Sequence, residues 1–336
     1  MTETQTYNSN SEILFIYEAR LCNPNGDPDD ENKPRIDPRT GRNLVSDVRL
    51  KRFFRNYIMN RYGEEYIWVA TVEGRHVRAE ERLGGKTPEQ ILENCIDARL
   101  FGATIPIGKK RGESRGESLS YTGPLQFTWG YSLHPVELVD SSTITSMFVG
   151  RERTEEKGRE ETEEGEKESE VRYGTMGKDW RVYYSLIAFY GVASGLRSKN
   201  TGLRELDVKI LDNLLWKSLA LDATTRSKIG EKPHLYLRVE YNDPETIIGD
   251  LRKYIRVDYD HLKPIRDLSD IKIDLTPLKE ALVSMRERIY KVYAYVSDEF
   301  KQYGLHTIIQ GVADVVPLPH DIMITEESLR GGRNRA

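Results

Sequence analysis

The residue types best suited to chemistry form a basic cluster within the stretch LVSDVRLKRFFRNYI, residues 44 to 58. Its apolar residues recur every three or four positions, which predicts a helix with one buried face, and Ser46 is placed to cap its start. The other face carries Lys51, Arg52 and Arg55, with Arg49 at its edge. Such cations bind phosphate oxygens, so this face is either a solvated surface or a contact for a nucleic-acid backbone.

A glycine-rich loop adds a second group of cations. The stretch FGATIPIGKKRGESRGES, residues 101 to 118, places Lys109, Lys110, Arg111 and Arg115 between two glycines. Open backbone N–H groups beside such side chains also suit phosphate. The chain further has 19 tyrosines and 4 tryptophans, and aromatic rings of this kind can stack on bases. Together, the two basic segments favour phosphate contact over a plain solvated face.

The acidic stretch NGDPDDEN, residues 25 to 32, spaces its carboxylates like the start of a calcium loop. The sixth position of such a loop is Asn32 where glycine is needed, and the twelfth is Pro38 where glutamate is needed. Asn-Gly and Asp-Pro pairs favour turns, so we interpret the stretch as a turn-rich loop without a metal. The sequence contains no Walker-type loop, zinc-protease motif or nucleophile elbow, and therefore predicts neither a cofactor nor catalysis.

The net charge of −4 is unevenly spread along the 336 residues. Residues 151 to 170 hold 10 acidic and 5 basic residues, which leaves the rest of the chain near +1. The overall charge is thus a poor guide to the local field. Two cysteines, Cys22 and Cys95, make no disulfide framework or metal pair, and neither a signal core nor a bilayer-long apolar run is present. We expect a reduced, soluble, cytoplasmic protein with no membrane partner.

The elements that would position these residues mix strands and helices. Strands are predicted where β-branched and aromatic residues lie between turn signals, at residues 11–21, 123–138, 142–149, 179–194 and 233–242. Helices are predicted at 44–58, 88–100, 203–221 and 276–304, the last capped by Thr276 and stopped at Gly304. Residues 22–43 hold four prolines and two glycines, so they form a long irregular loop. This irregular mixture predicts an α+β fold in one domain.

Several blocks of the sequence resemble a known family in the same order along the chain. The first block is CNPNGDPDDENKPRIDPRTGRNLVSDVRLKRFFRNYI, and the later blocks are DARLFGA, GPLQFTWGYSLHPVEL, TMGKDWRVYYSLIAFYG and LWKSLALDATTRSKIGEKPHLYLRV. They resemble the Cas-seven family, the backbone subunits of type I CRISPR Cascade complexes. The similarity is greatest to the Csh-two-like branch of type I-B, and the Csd-two-like branch of type I-C is also similar. Colinear blocks over most of the chain are more specific than any single motif above.

The resemblance implies a fold and a role. The fold would be an RRM-like (ferredoxin-like) palm within a single domain, residues 1–336, with an irregular insertion at 22–43, a finger insertion at about 60–122 and a thumb at about 148–178. The role would be a non-catalytic subunit that oligomerises along the CRISPR RNA and presents guide bases to target DNA. The implied partners are further copies of itself, a Cas-five-type subunit, large and small subunits and a guide-processing endonuclease.

The resemblance also implies the residues that contact the guide RNA. By position in the matching blocks they are Asn25, Ser46, Arg49, Lys51, Arg52, Arg55, Gly102, Ala103, Lys109, Arg172, Met176, Gly177 and Lys178. The acidic residues between about 148 and 176 are unexpected in an RNA-gripping thumb. We therefore expect only the thumb base to touch RNA, with the acidic tip facing solvent or a basic patch on a neighbour.

Two alternatives stay open at this stage. Type III relatives of the family cut RNA with an aspartate in the loop after the first strand, and Asp27 or Asp37 occupies comparable territory here. The chain would then be a metal-dependent endoribonuclease, with a carboxylate at the scissile phosphate. The other alternative is a protein scaffold with no RNA role.

Overall fold

The structure of the chain is a computed structural model that describes residues 5–70, 75, 79–107, 118–140, 143–146, 175–304, 312 and 314–331. Numbered in chain order, the strands within these residues are β1 (Asn10–Cys22), β2 (Gly26–Asp27), β3 (Lys33–Pro34), β4 (Arg42–Val45), β5 (Gly102–Pro106), β6 (Ser118–Thr122), β7 (Leu125–Phe127), β8 (Gly130–Pro135), β9 (Thr143–Ser146), β10 (Thr175–Lys178), β11 (Val182–Ser194), β12 (Glu231–Tyr241), β13 (Arg256–Tyr259), β14 (Ile271–Asp274), β15 (Ile289–Val296) and β16 (Asp314–Pro317). The helices are α1 (Asp47–Tyr62), α2 (Ala79–Leu83), α3 (Pro88–Asn94), α4 (Ile96–Phe101), α5 (Ser198–Thr201), α6 (Glu205–Asp222), α7 (Thr276–Ser284) and α8 (Glu326–Leu329).

Strand β1 lies at the centre of the large sheet. Its sequence NSEILFIYEARLC is apolar at most positions rather than at every second one, which is typical of a strand buried on both faces. It pairs antiparallel with β11 from Asn10↔Ser194 to Cys22↔Val182 and, on its other side, with β12. The predicted strand at residues 11–21 is therefore confirmed.

The sheet extends from β1 in both directions, in the order β16-β15-β12-β1-β11-β8-β4, and β7 also pairs with β11. The pairs are antiparallel except β15 with β16, which is parallel, so the sheet is mixed. Helix α1 lies in the sequence between β1 and β8, and helix α6 lies between β11 and β12. The architecture is a mixed α/β fold around one central sheet.

Both faces of the sheet are covered. On one face, α1 and α6 pack against each other and against sheet residues such as Phe15, Phe189 and Tyr236. On the opposite face, the segment that follows β12 supplies Leu251, Leu278 and Phe300, among others. Burial of apolar surface on both sides stabilises the sheet, and it leaves little sheet surface open to a ligand.

The other predicted elements agree with the structure in type, with shifted boundaries. The helix predicted at 44–58 is α1, and the helix predicted at 203–221 is α6. The strands predicted at 179–194 and 233–242 are β11 and β12. Two predictions split, because 88–100 forms α3 and α4 around an extended Cys95, and 123–138 forms β7 and β8. Within 142–149, β9 is described, and residues 147–149 lie outside the described residues.

The long helix predicted at residues 276–304 is wrong. Helix α7 ends at Ser284, and the chain continues as β15, which pairs with β12 over seven residues. The stretch IYKVYAYV is rich in β-branched and aromatic residues, and it supplies the partner that the free edge of β12 needs. Thr276 is the first helical residue rather than the cap, and its N–H donates to the carboxylate of Asp274 at 2.9 Å.

A buried carboxylate, Glu12, joins β1 to the loop that follows β12. Glu12 is fully buried and accepts hydrogen bonds from the Tyr190 hydroxyl at 2.5 Å and from the Tyr241 hydroxyl. It also accepts from the backbone N–H groups of Ile248 at 2.7 Å and Gly249 at 2.8 Å. All four donors satisfy a charge that would otherwise be costly to bury.

We expect Glu12→Ala to lower the free energy of unfolding by about 3 kcal/mol or more, because several buried donors lose their acceptor at once. Urea unfolding followed by circular dichroism measures this change. Glu245→Ala, which removes an exposed carboxylate in the same loop, is the matched control and should change stability little. Equal effects of the two substitutions would contradict a structural role for Glu12.

Candidate nucleic-acid interface

The start of helix α1 is fixed to the irregular loop that precedes it. Ser46 has an extended backbone, and its hydroxyl accepts from the Arg49 N–H at 3.3 Å, so the predicted cap is confirmed. The Ser46 N–H in turn donates to the Asn25 side-chain oxygen at 2.8 Å, and the Arg35 guanidinium reaches the same oxygen at 3.4 Å. The positive end of the helix dipole is thus held beside the loop at residues 22–43.

Lys51 does not lie on an open solvated face, which corrects the sequence prediction. Its side chain is only 9% exposed, and its ammonium group contacts the carboxylate of Asp47 at 2.9 Å and the side-chain oxygen of Gln126 at 3.0 Å. The ring of Phe101 lies 5.3 Å away. An ammonium group has three N–H donors, so these two acceptors leave one donor for a further ligand.

Arg55 is also buried, and the prediction that it lies on an exposed basic face is wrong. Its Nε donates to Asp97 at 2.8 Å, and Asp97 has no exposed surface. The same carboxylate accepts from the backbone N–H groups of Trp68 at 2.6 Å and Val69 at 3.2 Å. Arg55 therefore joins α1 to α4 and to the chain near residue 68. Helix periodicity could not predict its burial, because the carboxylate that binds it lies 42 positions away in the sequence.

Arg49 and Arg52 remain available at the surface of α1. Both are partly exposed, and the Arg49 guanidinium stacks on Phe53 at 3.9 Å. Its Nε is buried without a hydrogen-bond partner among the described residues. Burial, with the charges of Arg55 and Arg49, lowers the pKa of Arg52 below its ordinary value. Three guanidinium groups spaced three residues apart repel one another, so an anion here would relieve that repulsion.

A backbone crossing lies beside Lys51. Gly102 has φ +89°, and a Cβ there would come within 2.2 Å of the Tyr121 carbonyl oxygen. A Cβ on Gly123 would come within 2.1 Å of the Phe101 carbonyl carbon. The Gln126 amide fixes the crossing by donating to the carbonyls of Phe101 at 3.0 Å and Gly123 at 3.1 Å. Gln126 therefore links the glycine crossing to Lys51, because its oxygen accepts from the lysine.

The other predicted site residues fall into three groups. Ala103 is buried in a small core with Trp68 and Ile105, so its side chain faces the interior. Gly102 is partly exposed. Lys109 and Arg172, with the basic loop at 108–116, lie outside the described residues.

The base of the predicted thumb contacts the irregular loop. Met176 and Gly177 lie on β10, which pairs with β9. Lys178 is exposed and contacts the carboxylate of Glu31 at 2.5 Å. Its ammonium group lies 5.8 Å from the ring of Trp180, and the ammonium of Lys33 lies 5.3 Å from the same ring. The structure thus brings Lys178 to the loop that also holds Asn25.

The two carboxylates of the enzyme alternative are each engaged. Asp27 contacts the Arg35 guanidinium at 3.2 and 3.3 Å, and this contact lowers the pKa of Asp27. Asp37 accepts from the Thr40 hydroxyl at 2.6 Å, which lowers the pKa of Asp37. Among the residues that the structure describes, no group of three or more His, Cys, Asp and Glu side chains could hold a metal ion.

Sequence reasoning missed the residues that orient the basic helix. Gln126 was visible only as one residue of the predicted strand 123–138, and Asp97 only as one polar residue of the predicted helix 88–100. Sequence reasoning also missed Glu231, which is buried at the start of β12, with no hydrogen bond to its carboxylate oxygens among the described residues. Burial raises the pKa of Glu231 to about 7, although Lys228 and Arg49 partly oppose that shift.

The residues around the start of α1 offer several N–H donors. A helix start, a pre-positioned lysine, two partly exposed arginines and a glycine crossing lie together, and their donors suit phosphate rather than base edges. A family profile described as CRISPR-associated protein Cas7 matches residues 9–276. A curated CRISPR-associated protein Cas7 from Haloferax volcanii is 33% identical over 304 residues, covering 83% of this chain and 84% of the relative. The chain belongs to this family, the Cas-seven family of the sequence analysis.

Solved structures give a more distant likeness. One, described as a CRISPR RNA-guided surveillance complex, contains a chain with a TM-score of 0.43 and 14% identity, covering 86% of this chain and 89% of that chain. Another, described as such a complex before nicking, gives a TM-score of 0.49 and 12% identity, covering 92% and 96%. At these scores and identities the likeness does not bear on function.

The glycine crossing yields a stability prediction. We expect Gly102→Ala to lower the free energy of unfolding clearly more than Gly202→Ala. Gly202 has φ +72° and ψ 33°, in the left-handed helical region, where an alanine costs about 1–2 kcal/mol. Gly102 has φ +89° and ψ 171°, a region that essentially only glycine adopts. Only Gly102 adds a clash with backbone, since a Cβ at Gly202 meets nothing within 4 Å. Urea unfolding of the two variants tests this, and equal losses would show that the crossing is not tightly packed.

The buried Glu231 yields a pH prediction. Its pKa rises from an ordinary 4.5 to about 7 in the folded chain. Between these values the folded protein keeps a proton that the unfolded chain has released, so this group's contribution to stability falls as pH rises through the window. We expect Glu231→Gln to reduce the loss of stability between pH 5 and pH 8.

Urea midpoints across that range measure the effect. Glu280→Gln, at an exposed glutamate of α7, is the control and should keep the wild-type dependence. An unchanged pH dependence of stability in Glu231→Gln would contradict the raised pKa of Glu231.

Proposed function

We propose that this chain is the non-catalytic backbone subunit of a type I CRISPR Cascade surveillance complex. Copies of it would line up along the CRISPR RNA, hold its sugar-phosphate backbone whatever the sequence, and present guide bases to target DNA. Family membership over most of the chain supports this role. The observation that carries it is the phosphate-suited site at the start of α1, where Lys51 is oriented beside two partly exposed arginines.

The topology supports an RRM-like (ferredoxin-like) palm. The order β12-β1-β11-β8, with α1 after β1 and α6 after β11, matches the βαββαβ arrangement of that fold. The insertion at 60–122 would be the finger, and the segment between β8 and β11, about 148–178, would contain the thumb. Because both sheet faces are covered, the guide would contact loops and the helix start rather than the open sheet of RNA-binding RRM domains.

Guide contact is proposed to centre on the described residues that can reach a phosphate. Lys51, Arg49 and Arg52 would contact guide phosphates, while Ser46 and Asn25 would hold the helix start in place. Arg55 and Ala103, which are buried, would act by positioning the neighbouring chain. Lys178 would contribute from the thumb base together with Met176 and Gly177, and Gly102 would allow close backbone approach. Lys109 and Arg172 remain proposed contacts from the sequence.

The proposed complex has further partners. They are target DNA paired to the guide, other copies of this chain, a Cas-five-type subunit, large and small subunits and a guide-processing endonuclease. The described residues include no helix long and apolar enough to span a membrane. A cytoplasmic location is part of this proposal.

A non-catalytic role is supported by the hydrogen bonds that hold the carboxylates of the loop at residues 22–43. Asp27 is held by Arg35, and Asp37 is held by Thr40, so each is already engaged within its own loop. A metal-dependent cut would need one of them to leave this contact and meet the scissile phosphate.

We expect Lys51→Ala/Arg52→Ala to reduce the guide-length RNA that co-purifies from cells carrying a CRISPR array. For binding of single-stranded RNA in vitro, each lost phosphate contact should reduce the slope of log affinity against log salt by about 0.7, or about 1.4 for two contacts. Denaturing gels of the extracted RNA and salt titrations measure these effects.

Lys272→Ala/Lys279→Ala, which removes two exposed lysines from β14 and α7, is the matched control and should retain the guide. Equal RNA in all three preparations would contradict the proposed site. Incubating the wild-type complex with Mg²⁺ and a complementary RNA should leave that RNA intact. Cleavage that Asp27→Ala or Asp37→Ala abolishes would instead establish the endoribonuclease function.

A further inference from the structure

A second basic and aromatic surface lies on the side of the sheet away from α1. It surrounds a cleft of about 240 Å³ at the edge strands β4 and β8, lined by Arg42, Tyr131, Leu133, Arg252, Lys253, Ile255 and Val257. Leu133 belongs to the core on the face opposite α1, and Tyr131, Ile255 and Val257 pack against that core. The cleft therefore lies on the face of the sheet opposite α1.

Arg252 builds the floor of this cleft. Its guanidinium binds both oxygens of Asp250, at 2.8 and 2.7 Å, and donates to the Trp129 carbonyl at 2.8 Å. It also lies 4.3 Å from the ring of Tyr131, and its side chain is only 6% exposed. Arg252 is thus a fixed structural group that holds the ring of Tyr131 and the backbone of Trp129 in place.

The two remaining cations of the cleft are available. The Arg42 guanidinium lies 5.3 Å from the ring of Tyr131, and Lys253 is exposed. Among the described residues, neither charged group forms a salt bridge with a carboxylate. Asp37 lies near Arg42, but its carboxylate oxygens already accept from the Thr40 hydroxyl and the Arg39 N–H. The cleft therefore carries two unpaired positive charges.

An exposed aromatic residue adjoins the cleft. Trp129 lies immediately before β8, its backbone carbonyl accepts from Arg252 in the cleft, and the residue is 48% exposed. The Arg35 guanidinium lies 5.5 Å from its ring. Rings interleaved with cations suit single-stranded nucleic acid, because phosphates meet the cations and bases stack on the rings. An acidic peptide would use the two cations but would leave the indole without a base to stack on.

We propose that Arg42, Lys253 and Trp129 form a second nucleic-acid surface, which binds a single strand other than the guide. Arg42 and Lys253 contact two phosphates, and Trp129 stacks on one base. The inference rests on the proposed function, because it assigns the guide to the start of α1 and leaves this surface for a different strand. Contact through phosphates and one stacked base makes the binding tolerant of sequence.

Binding of a fluorescent oligo-dT strand, unable to pair with the guide, tests the proposal by anisotropy on the purified guide-bound complex. We expect Arg42→Ala/Lys253→Ala to lower affinity at low salt at least about tenfold and to reduce the salt slope by about 1.4. Trp129→Ala should lower affinity about fivefold or more, whereas Trp129→Phe should keep most of it because a ring remains for stacking. Lys272→Ala/Lys279→Ala should bind as the wild type does.

The RNA content of each preparation separates this proposal from the proposed function. A normal guide content with weakened oligo-dT binding supports the second surface. Loss of the guide in Arg42→Ala/Lys253→Ala would overturn it, because the surface would then belong to the guide path. Unchanged oligo-dT binding would also overturn it, as would a change only in complex size, which would indicate a protein contact. If the wild type carries no guide, the proposed function fails, and the same variants tested on the RNA-free chain still decide the second surface.

Discussion

The structure depends on the pairing of β1 with both of its neighbours. This strand is paired along most of its length on each side and buried on each face, so every other large element is placed relative to it. Helices α1 and α6 cover one face, and the segment after β12 covers the other. The buried carboxylate of Glu12 joins the loop after β12 to the strand. With the sheet enclosed, contact with ligands is left to helix starts, loops and sheet edges.

The cations of α1 differ in their partners. These partners decide which side chains stabilise the fold and which remain able to bind a ligand. Arg55 forms a buried salt bridge with Asp97 and stabilises the fold. Lys51 is shared between Asp47 and Gln126, and it keeps one donor for a ligand. Arg49 and Arg52 are partly exposed, and Arg52 contacts the Val69 carbonyl at 3.5 Å rather than a carboxylate. A single basic helix thus holds both an arginine that anchors the fold and the cations of the proposed phosphate contact, so charge reversal at different positions along it would have different effects.

The sequence predicted the elements better than their surroundings. The cap at Ser46, the apolar face of α1 and the strands β1, β11 and β12 follow from local periodicity and were correct. The burial of Lys51 and Arg55 was not predictable, because their partners Gln126 and Asp97 lie 75 and 42 positions away. The long helix after Thr276 failed for a related reason, since the free edge of β12 selects a strand that local propensity alone leaves ambiguous. Local signals therefore find elements, and long-range contacts decide which side chains stay free.

The contacts of Lys51 with Asp47 and Gln126 affect how strongly this lysine can bind a phosphate. A free lysine side chain loses about 2 kcal/mol of rotamer entropy when it is fixed. Here the Lys51 side chain is already fixed by folding, so binding a phosphate costs little further side-chain entropy. Such preorganisation raises affinity without any added contact. In a filament of repeated copies, the same saving would recur at every subunit, and small gains per copy would multiply along the bound strand.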